Sequence, residues 1–521
     1  MARRPRKFMI LGLALATVGA IGAAAPPPAG ALPSAAGIVD TLDRILADPR
    51  LAGVTVGLEV RDTADGSVIY SRNAGQRLVP ASNNKLLTSV AALEVLGTDH
   101  RFHTRVLGTG RQRGPVLAGD LYLKGGGDPT LLAGDYDALA KTVADSGIRL
   151  VTGRLIADDT WFDANRLGHD WATDDEPQSY AASISGLTVA PDTDYDPGAV
   201  IIEARPGAVA GQPAALSVVP AVGDVTLVNR ATTGPAGSAN TLSFNREHGT
   251  NTFVVSGSTP VGAAVSRDYM AVWNPTSYAA TIFREALKRH GVRVQGSTGY
   301  GATPAGATER AAHESMTLGE LLVPFLKLSN NMHAEVLLKE MGRAAAGQGS
   351  WAAGLAAASG ALTALGVDMT VQRQVDGSGL SRQDLLTNHQ ITTLLLAARA
   401  EPWYQTWYDA LPIAGVSERM VGGTLRSRMV GTPAAGNVHA KTGTLTGVSA
   451  LSGYVTDANG RKLVFSMINN NSLGGVSALL DAVAVALASP QNAAASANPP
   501  GAGGGPSSTG DEVECSWVKT C

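Results

Sequence analysis

The sequence predicts an α/β (α+β) protein in which one unit of strands and helices is split by a long β-rich insertion. Three observations carry this. Period-two alternation marks a strand early in the chain, at residues 53–60 (GVTVGLEV), and strands recur late, after residue 438. Helical spacing dominates from residue 318 onwards. Between residues 98 and 300, short β-rich runs alternate with Gly, Pro and Asp turns, and no repeat of fixed period is present.

In chain order, the first element is an export signal. Arg3, Arg4, Arg6 and Lys7 form a basic start, residues 8–25 are apolar, and Ala29-Gly30-Ala31 is a small-x-small cleavage site. The apolar run is short and carries glycines, so residues 1–31 are expected to be removed rather than kept as an anchor. No other segment reads as a membrane helix, so the mature protein is expected to be secreted. At 521 residues, 44% hydrophobic and 16% charged, the chain can bury a core and is large enough for several domains. Its formal net charge of -3 gives no basic surface for nucleic acid or anionic lipid. Arginine outnumbers lysine, and Ala and Gly abound, a bias of GC-rich bacterial coding.

Residues 38–97 read as the first part of the main unit. The strand at 53–60 turns at Asp65-Gly66 and pairs back through 68–71 as a hairpin. Ser82 opens a helix in which Leu86, Val90 and Leu93 recur at helical spacing, with Lys85 one turn on. The insertion spans 98–300 and ends on a helix at 278–290 and a strand at 292–294. Residues 301–490 form the second part. Helices are expected at 318–328, 331–344, 351–365 and 390–399, then strands at 438–442, 447–456 and 462–468, and a last helix at 476–487. The Ala/Gly/Pro-rich stretch 491–521 is expected to be disordered. It carries Cys515 and Cys521, which can close a small loop in an oxidising compartment and have no catalytic setting.

Three short motifs supply chemistry. Ser82-Asn83-Asn84-Lys85 places a lysine within reach of a serine at a helix N-terminus, where the serine N–H and the helix dipole favour a developing oxyanion. Lysine works as a base only when neutral. Ser329-Asn330-Asn331 offers a second hydroxyl to relay a proton and an amide to orient the substrate or Lys85; the plainer reading is a helix cap. Lys441-Thr442-Gly443-Thr444 is the sharpest, because lysine is scarce in this chain. A strand with Lys and two hydroxyls suits a terminal carboxylate, and Gly443 lets another backbone come close. The Thr444 N–H can complete an oxyanion hole with that of Ser82. His333 and His439 adjoin the motifs but lack an acid partner in triad order, so they read as packed or capping residues. Asp376-Gly377-Ser378-Gly379-Leu380-Ser381 reads equally as a cleft lining or a tight loop. No G-x-S-x-G, H-E-x-x-H, Walker A or C-x-x-C motif occurs.

In this order the motifs resemble the S-x-x-K, S-D-N and K-T-G set of penicillin-binding proteins and class A β-lactamases, with Asn330 at the middle position, which is closer to the penicillin-binding proteins. Roughly 250 residues separate the first two, far more than a compact β-lactamase allows. With LVPASNNKLLTS, LKGGGDPTL, ADDTWFD, LTVAPDTDYD, LKLSNNMHAE, DGSGLSR and HAKTGTLTGVSALSGYV, the chain resembles the low-molecular-mass class C penicillin-binding proteins. These are the D-Ala-D-Ala carboxypeptidase/endopeptidases of the DacB (peptidase S13) family, and the likeness covers residues 38–490. It implies a serine penicillin-recognising transpeptidase-like fold, an antiparallel sheet flanked by helices, with β-rich domains inserted between the first two motifs. It also implies a secreted DD-peptidase acting on peptidoglycan stem peptides through an acyl-enzyme, inhibited by β-lactams, with no cofactor or metal and no nucleic-acid partner.

By the same likeness Ser82 is the nucleophile, Lys85 the base, Ser329 the proton relay and Asn331 a substrate ligand. Lys441, Thr442, Gly443 and Thr444 line the carboxylate site. Within WATDDEPQSY, Asp175 and Tyr180 are candidates for contact with a diaminopimelate side chain. Ser417-Glu418-Arg419-Met420 lengthens a loop that is shorter in the family. Two alternatives stand beside this reading. A serine β-lactamase would need a deacylating base, and no E-x-x-L-N loop supplies one. A non-catalytic cell-wall-binding protein would not need all these positions intact.

Overall fold

A computed structural model of the chain describes residues 35–489 except residue 222. The expected signal peptide, the tail from 491 and Cys515 and Cys521 lie outside the described residues.

Early and late strands of the described residues build one sheet. Its strand order is His439–Leu445, Val448–Thr456, Lys462–Asn470, Thr55–Asp62, Val68–Arg72, and every neighbouring pair is antiparallel. Thr55 lies opposite Asn470 and Asp62 opposite Leu463, so the early hairpin docks in register on the late strands. Successive side chains on a strand point to opposite faces, and both faces are covered. Leu463, Phe465 and Met467 join a core with Leu42 of the helix Ala35–Leu46 and Leu480 and Val483 of the helix Ser477–Ala488. Val464 and Ile468 face a second core with Leu86 and Val90 of the helix Asn84–Leu96 and Leu394 of the helix Asn388–Ala398. That double cover explains why eight of the nine residues of Val448–Thr456 are buried.

The inserted region has its own core, where Val106, Leu121 and Leu155 meet Tyr136 and Phe283. Its largest sheet runs in the order Thr298–Tyr300, Leu155–Asp158, Leu121–Lys124, His103–Gly108, Thr308–Glu314, so the inserted unit extends past the boundary expected at residue 300 because Thr308–Glu314 pairs with His103–Gly108. Two helices, Ala133–Asp145 and Pro275–Arg289, flank it. The first of these is absent from the sequence reading. Its apolar residues are interrupted by Gly134, Asp135 and Asp137, and Asp135 works instead as a cap, accepting from the Leu132 N–H at 2.8 Å. Among the described residues no helix is long and apolar enough to cross a membrane.

Candidate active site

Ser82 lies in a single 3-10 turn, Ala81–Asn83, directly ahead of the helix Asn84–Leu96 rather than inside its first turn. Ala81 is held at φ +47°, a conformation that costs an ordinary residue about 1–2 kcal/mol. Two glycines let neighbouring backbone close on this turn. A Cβ on Gly379, itself at φ +82°, would stand 1.9 Å from the Ala81 carbonyl oxygen. One on Gly443 would stand 2.8 Å from the Pro80 carbonyl oxygen and 3.1 Å from the Ser82 nitrogen. The close approach that the sequence assigns to Gly443 is therefore made by the protein's own nucleophile turn. Side chains tie the turn down as well. Asn83 Nδ2 donates to Ser452 Oγ at 2.8 Å, and Asn84 Nδ2 to the Asp376 carbonyl at 2.9 Å. Gly379→Ala is expected to cost roughly 2–4 kcal/mol of stability through strain and overpacking. It should also slow acylation in the molecules that remain folded; urea unfolding and labelling with a fluorescent penicillin check the two effects.

The three motifs converge. Lys85 is fully buried. Its Nζ donates to Ser82 Oγ at 2.7 Å, Asn331 Oδ1 at 2.7 Å and the Ser378 carbonyl at 2.9 Å. Lys441, equally buried, donates to Ser329 Oγ at 2.7 Å and to the Thr442 carbonyl at 2.8 Å. Ser329 sits at φ +59° between the helices Leu318–Lys327 and Asn331–Ala346. The two asparagines after it divide the work. Asn330 is the helix cap, accepting from the His333 N–H at 3.1 Å, while its amide donates to the Tyr195 carbonyl and Asp196. Asn331 is the one that reaches Lys85.

The strand His439–Leu445 is an edge of its sheet, and the Ile413–His439 bridge covers only its start. Thr442 Oγ1 donates to Thr424 Oγ1 at 2.8 Å, and Thr444 is half-buried. Asp175 and Tyr180 bond each other, hydroxyl to carboxylate, at 2.8 Å, and burial raises the Asp175 carboxyl above its ordinary range. Tyr180 meets the motifs through its backbone, whose carbonyl accepts from Asn331 Nδ2 at 2.9 Å. His333 bonds the Tyr195 carbonyl at 2.6 Å, and His439 stacks on Tyr408 with ring centres 4.2 Å apart, so both are packed.

Two buried carboxylates support this centre: Glu335, which the sequence does not single out, and Asp376, the first residue of the loop read there as cleft lining or tight turn. Glu335 accepts from the Gly377 and Ser378 N–H groups at 3.0 and 2.8 Å and from the Trp351 indole at 2.7 Å. Asp376 accepts from the Gly379 and Ser381 N–H groups at 2.7 and 2.8 Å and from the Trp171 indole at 3.1 Å. Burial first, and then the Asp376 charge, push the Glu335 carboxyl up to about 7, against the pull of its donors. A signal existed: Glu335 stands four residues after Asn331, on the same helix face and within an apolar run. The lengthened loop at 417–420 also has a partner, because Arg419 donates from Nη1 and Nη2 to the two carboxylate oxygens of Asp194 in the insertion.

Comparison with known proteins supplies further findings. Residues 38–488 match the model of the D-Ala-D-Ala carboxypeptidase 3 (S13) family. The D-alanyl-D-alanine carboxypeptidase of Actinomadura sp. (strain R39) is 49% identical, over 92% of this chain and 90% of its own length. The crystal structure of penicillin binding protein 4 (dacB) from Haemophilus influenzae superposes with a TM-score of 0.74 at 25% identity. That match covers 86% of this chain and 97% of the other. The same protein complexed with a β-lactam superposes with a TM-score of 0.69 at 24% identity, a likeness of fold.

Proposed function

The chain belongs to the D-Ala-D-Ala carboxypeptidase 3 (S13) family of serine hydrolases, and from that premise we propose which residues carry out its reaction and where. The observation that carries this reading is the pair of contacts at the centre. Lys85 Nζ stands 2.7 Å from Ser82 Oγ, and Lys441 Nζ stands 2.7 Å from Ser329 Oγ. The substrate is a peptidoglycan stem peptide ending in D-Ala-D-Ala. It lies antiparallel along the open edge of His439–Leu445. Lys441 and the hydroxyls of Thr442 and Thr444 hold its terminal carboxylate.

Lys85, neutral when the substrate is bound, accepts the Ser82 proton across that 2.7 Å contact as Oγ attacks the penultimate carbonyl carbon. The N–H groups of Ser82 and Thr444 stabilise the oxyanion. Ser329 passes the proton to the departing amine of D-alanine, and water then hydrolyses the acyl-enzyme. A β-lactam mimics the terminal dipeptide and acylates the same serine. Asn331 orients Lys85, and Asp175 with Tyr180 borders the cleft on the side of the stem-peptide side chain. The matched family acts outside the cytoplasm, in keeping with the export signal read at residues 1–31; release by cleavage of that signal is part of the proposal.

The test is digestion of purified peptidoglycan followed by muropeptide chromatography. Conversion of pentapeptides to tetrapeptides is the expected result, and loss of crosslinked dimers would add endopeptidase activity. No change in either pool would overturn the reading.

A further inference from the structure

We propose that Glu335 is a positioning residue for the acylation base: it holds the Gly377–Ser378 backbone so that the Ser378 carbonyl stays on the Lys85 amine. The inference deepens the assignment of Lys85 as base and rests on it. Three observations on separate elements carry it. Glu335 is fully buried, and every partner it has is a donor: two consecutive backbone N–H groups and one indole. A carboxylate satisfies three donors; a carboxamide has one acceptor oxygen and would turn its NH2 group towards a donor. The backbone so held carries the carbonyl that accepts from Lys85 at 2.9 Å. Glu335 and Asn331 are one helical turn apart, so a single helix sets two of the three acceptors around the lysine.

The loop admits little slack. A Cβ on Gly377 would stand 2.6 Å from the Ala334 carbonyl oxygen, and Asp376 pins the other end through the Gly379 and Ser381 N–H groups. Glu335 therefore fixes the middle of a segment whose ends are already tied.

Charge gives the proposal a distinctive readout. The groups facing Glu335 are Asp376 and Asp384 on the loop side, Lys339 one turn further along its own helix, and Lys85 beyond the Ser378 carbonyl. Lys339 is taken up by Asp163 at 2.6 Å and by the Trp351 ring at 3.8 Å. The Ser378 carbonyl, held on the amine, favours the ammonium form of Lys85, and Glu335 adds to this wherever it is ionised, above about pH 7. Removing them favours the amine, so the acidic limb of the acylation–pH profile moves to lower pH.

The experiment measures the second-order rate constant for acylation by benzylpenicillin, by stopped flow, across that limb. In Glu335→Gln the plateau is expected to fall about 10–100-fold through misplacement of the base. The limb is expected to move down by roughly one pH unit. Trp351→Phe removes one donor and leaves the rest of the carboxylate's setting intact; it should move the limb the same way by less, and it keeps the test open if Glu335→Gln does not fold. A limb that stays in place in the folded variants overturns the proposal, whatever the plateau does, because general loosening would lower the rate without moving it. Lys85→Ala separates the two readings: a limb that survives unmoved in that variant overturns Lys85 as the base and this proposal with it.

Discussion

In Ser82→Ala, incubation with benzylpenicillin is expected to leave the protein mass unchanged, whereas the parent protein gains the mass of one drug molecule. Lys85 makes three hydrogen bonds at this site, but only Ser82 can form the ester, so no neighbour substitutes for it. Hydrolysis of a D-Ala-D-Ala peptide should fall on the order of 10⁴-fold or more, the scale seen when a nucleophile is removed from a preorganised site. Lys85→Ala keeps the nucleophile and loses its base, so acylation should persist at a rate lower by about 10²–10⁴-fold. The alanine also leaves the Asn331 and Ser378 oxygens, both buried, without their shared donor, so part of that loss is local rearrangement. An adduct that forms normally in Ser82→Ala, detected by intact-protein mass spectrometry, would sink the assignment of the nucleophile.

The elements that were legible in sequence are those with a period. The late strands expected at 447–456 and 462–468 appear as Val448–Thr456 and Lys462–Asn470, and the helix expected at 331–344 as Asn331–Ala346. Alternation marks a strand wherever it pairs, but it carries no address. The docking of Thr55–Asp62 on Lys462–Asn470, across about four hundred residues of chain, had no local signal. The motifs were legible for a different reason: each packs its reactive groups into four residues or fewer. What lay beyond reach was the support around them. Ser378 touches Lys85 through its backbone carbonyl, a group every residue owns, so nothing in its side chain advertises the contact. Trp171 opens the WATDDEPQSY stretch, but 205 residues separate it from the Asp376 carboxylate to which it donates, so its role had no local signal. Glu335 carried a faint signal, an acid inside an apolar helix, and Arg419 was flagged as extra loop without its partner Asp194. Functional support of this kind is long-range and often backbone-mediated, so it becomes visible only once the sheet is assembled.

Lys441→Ala is expected to abolish the preference for substrates that end in a free carboxylate. Lys441 is fully buried and its ammonium already bonds Ser329 Oγ and the Thr442 carbonyl, so it is fixed in place before any substrate arrives. A fixed cation needs no reorganisation to meet a carboxylate, and a charge-assisted hydrogen bond of this kind is worth about 1.5–3 kcal/mol, or on the order of 10²-fold in kcat/KM. The same substitution loosens Ser329, whose hydroxyl loses its donor, so a loss of rate alone would not separate carboxylate binding from proton relay. Comparing a peptide ending in D-Ala-D-Ala with its C-terminal amide does. In the parent protein the amide should react on the order of 10²-fold more slowly, because it brings a neutral group to a buried ammonium. In Lys441→Ala the acid and the amide should react at nearly equal rates, both slow. Ser329→Ala should instead slow acid and amide alike and keep the gap between them. If the gap survives in Lys441→Ala, the carboxylate is held elsewhere, and Thr442 and Thr444 on the same edge strand become the groups to vary.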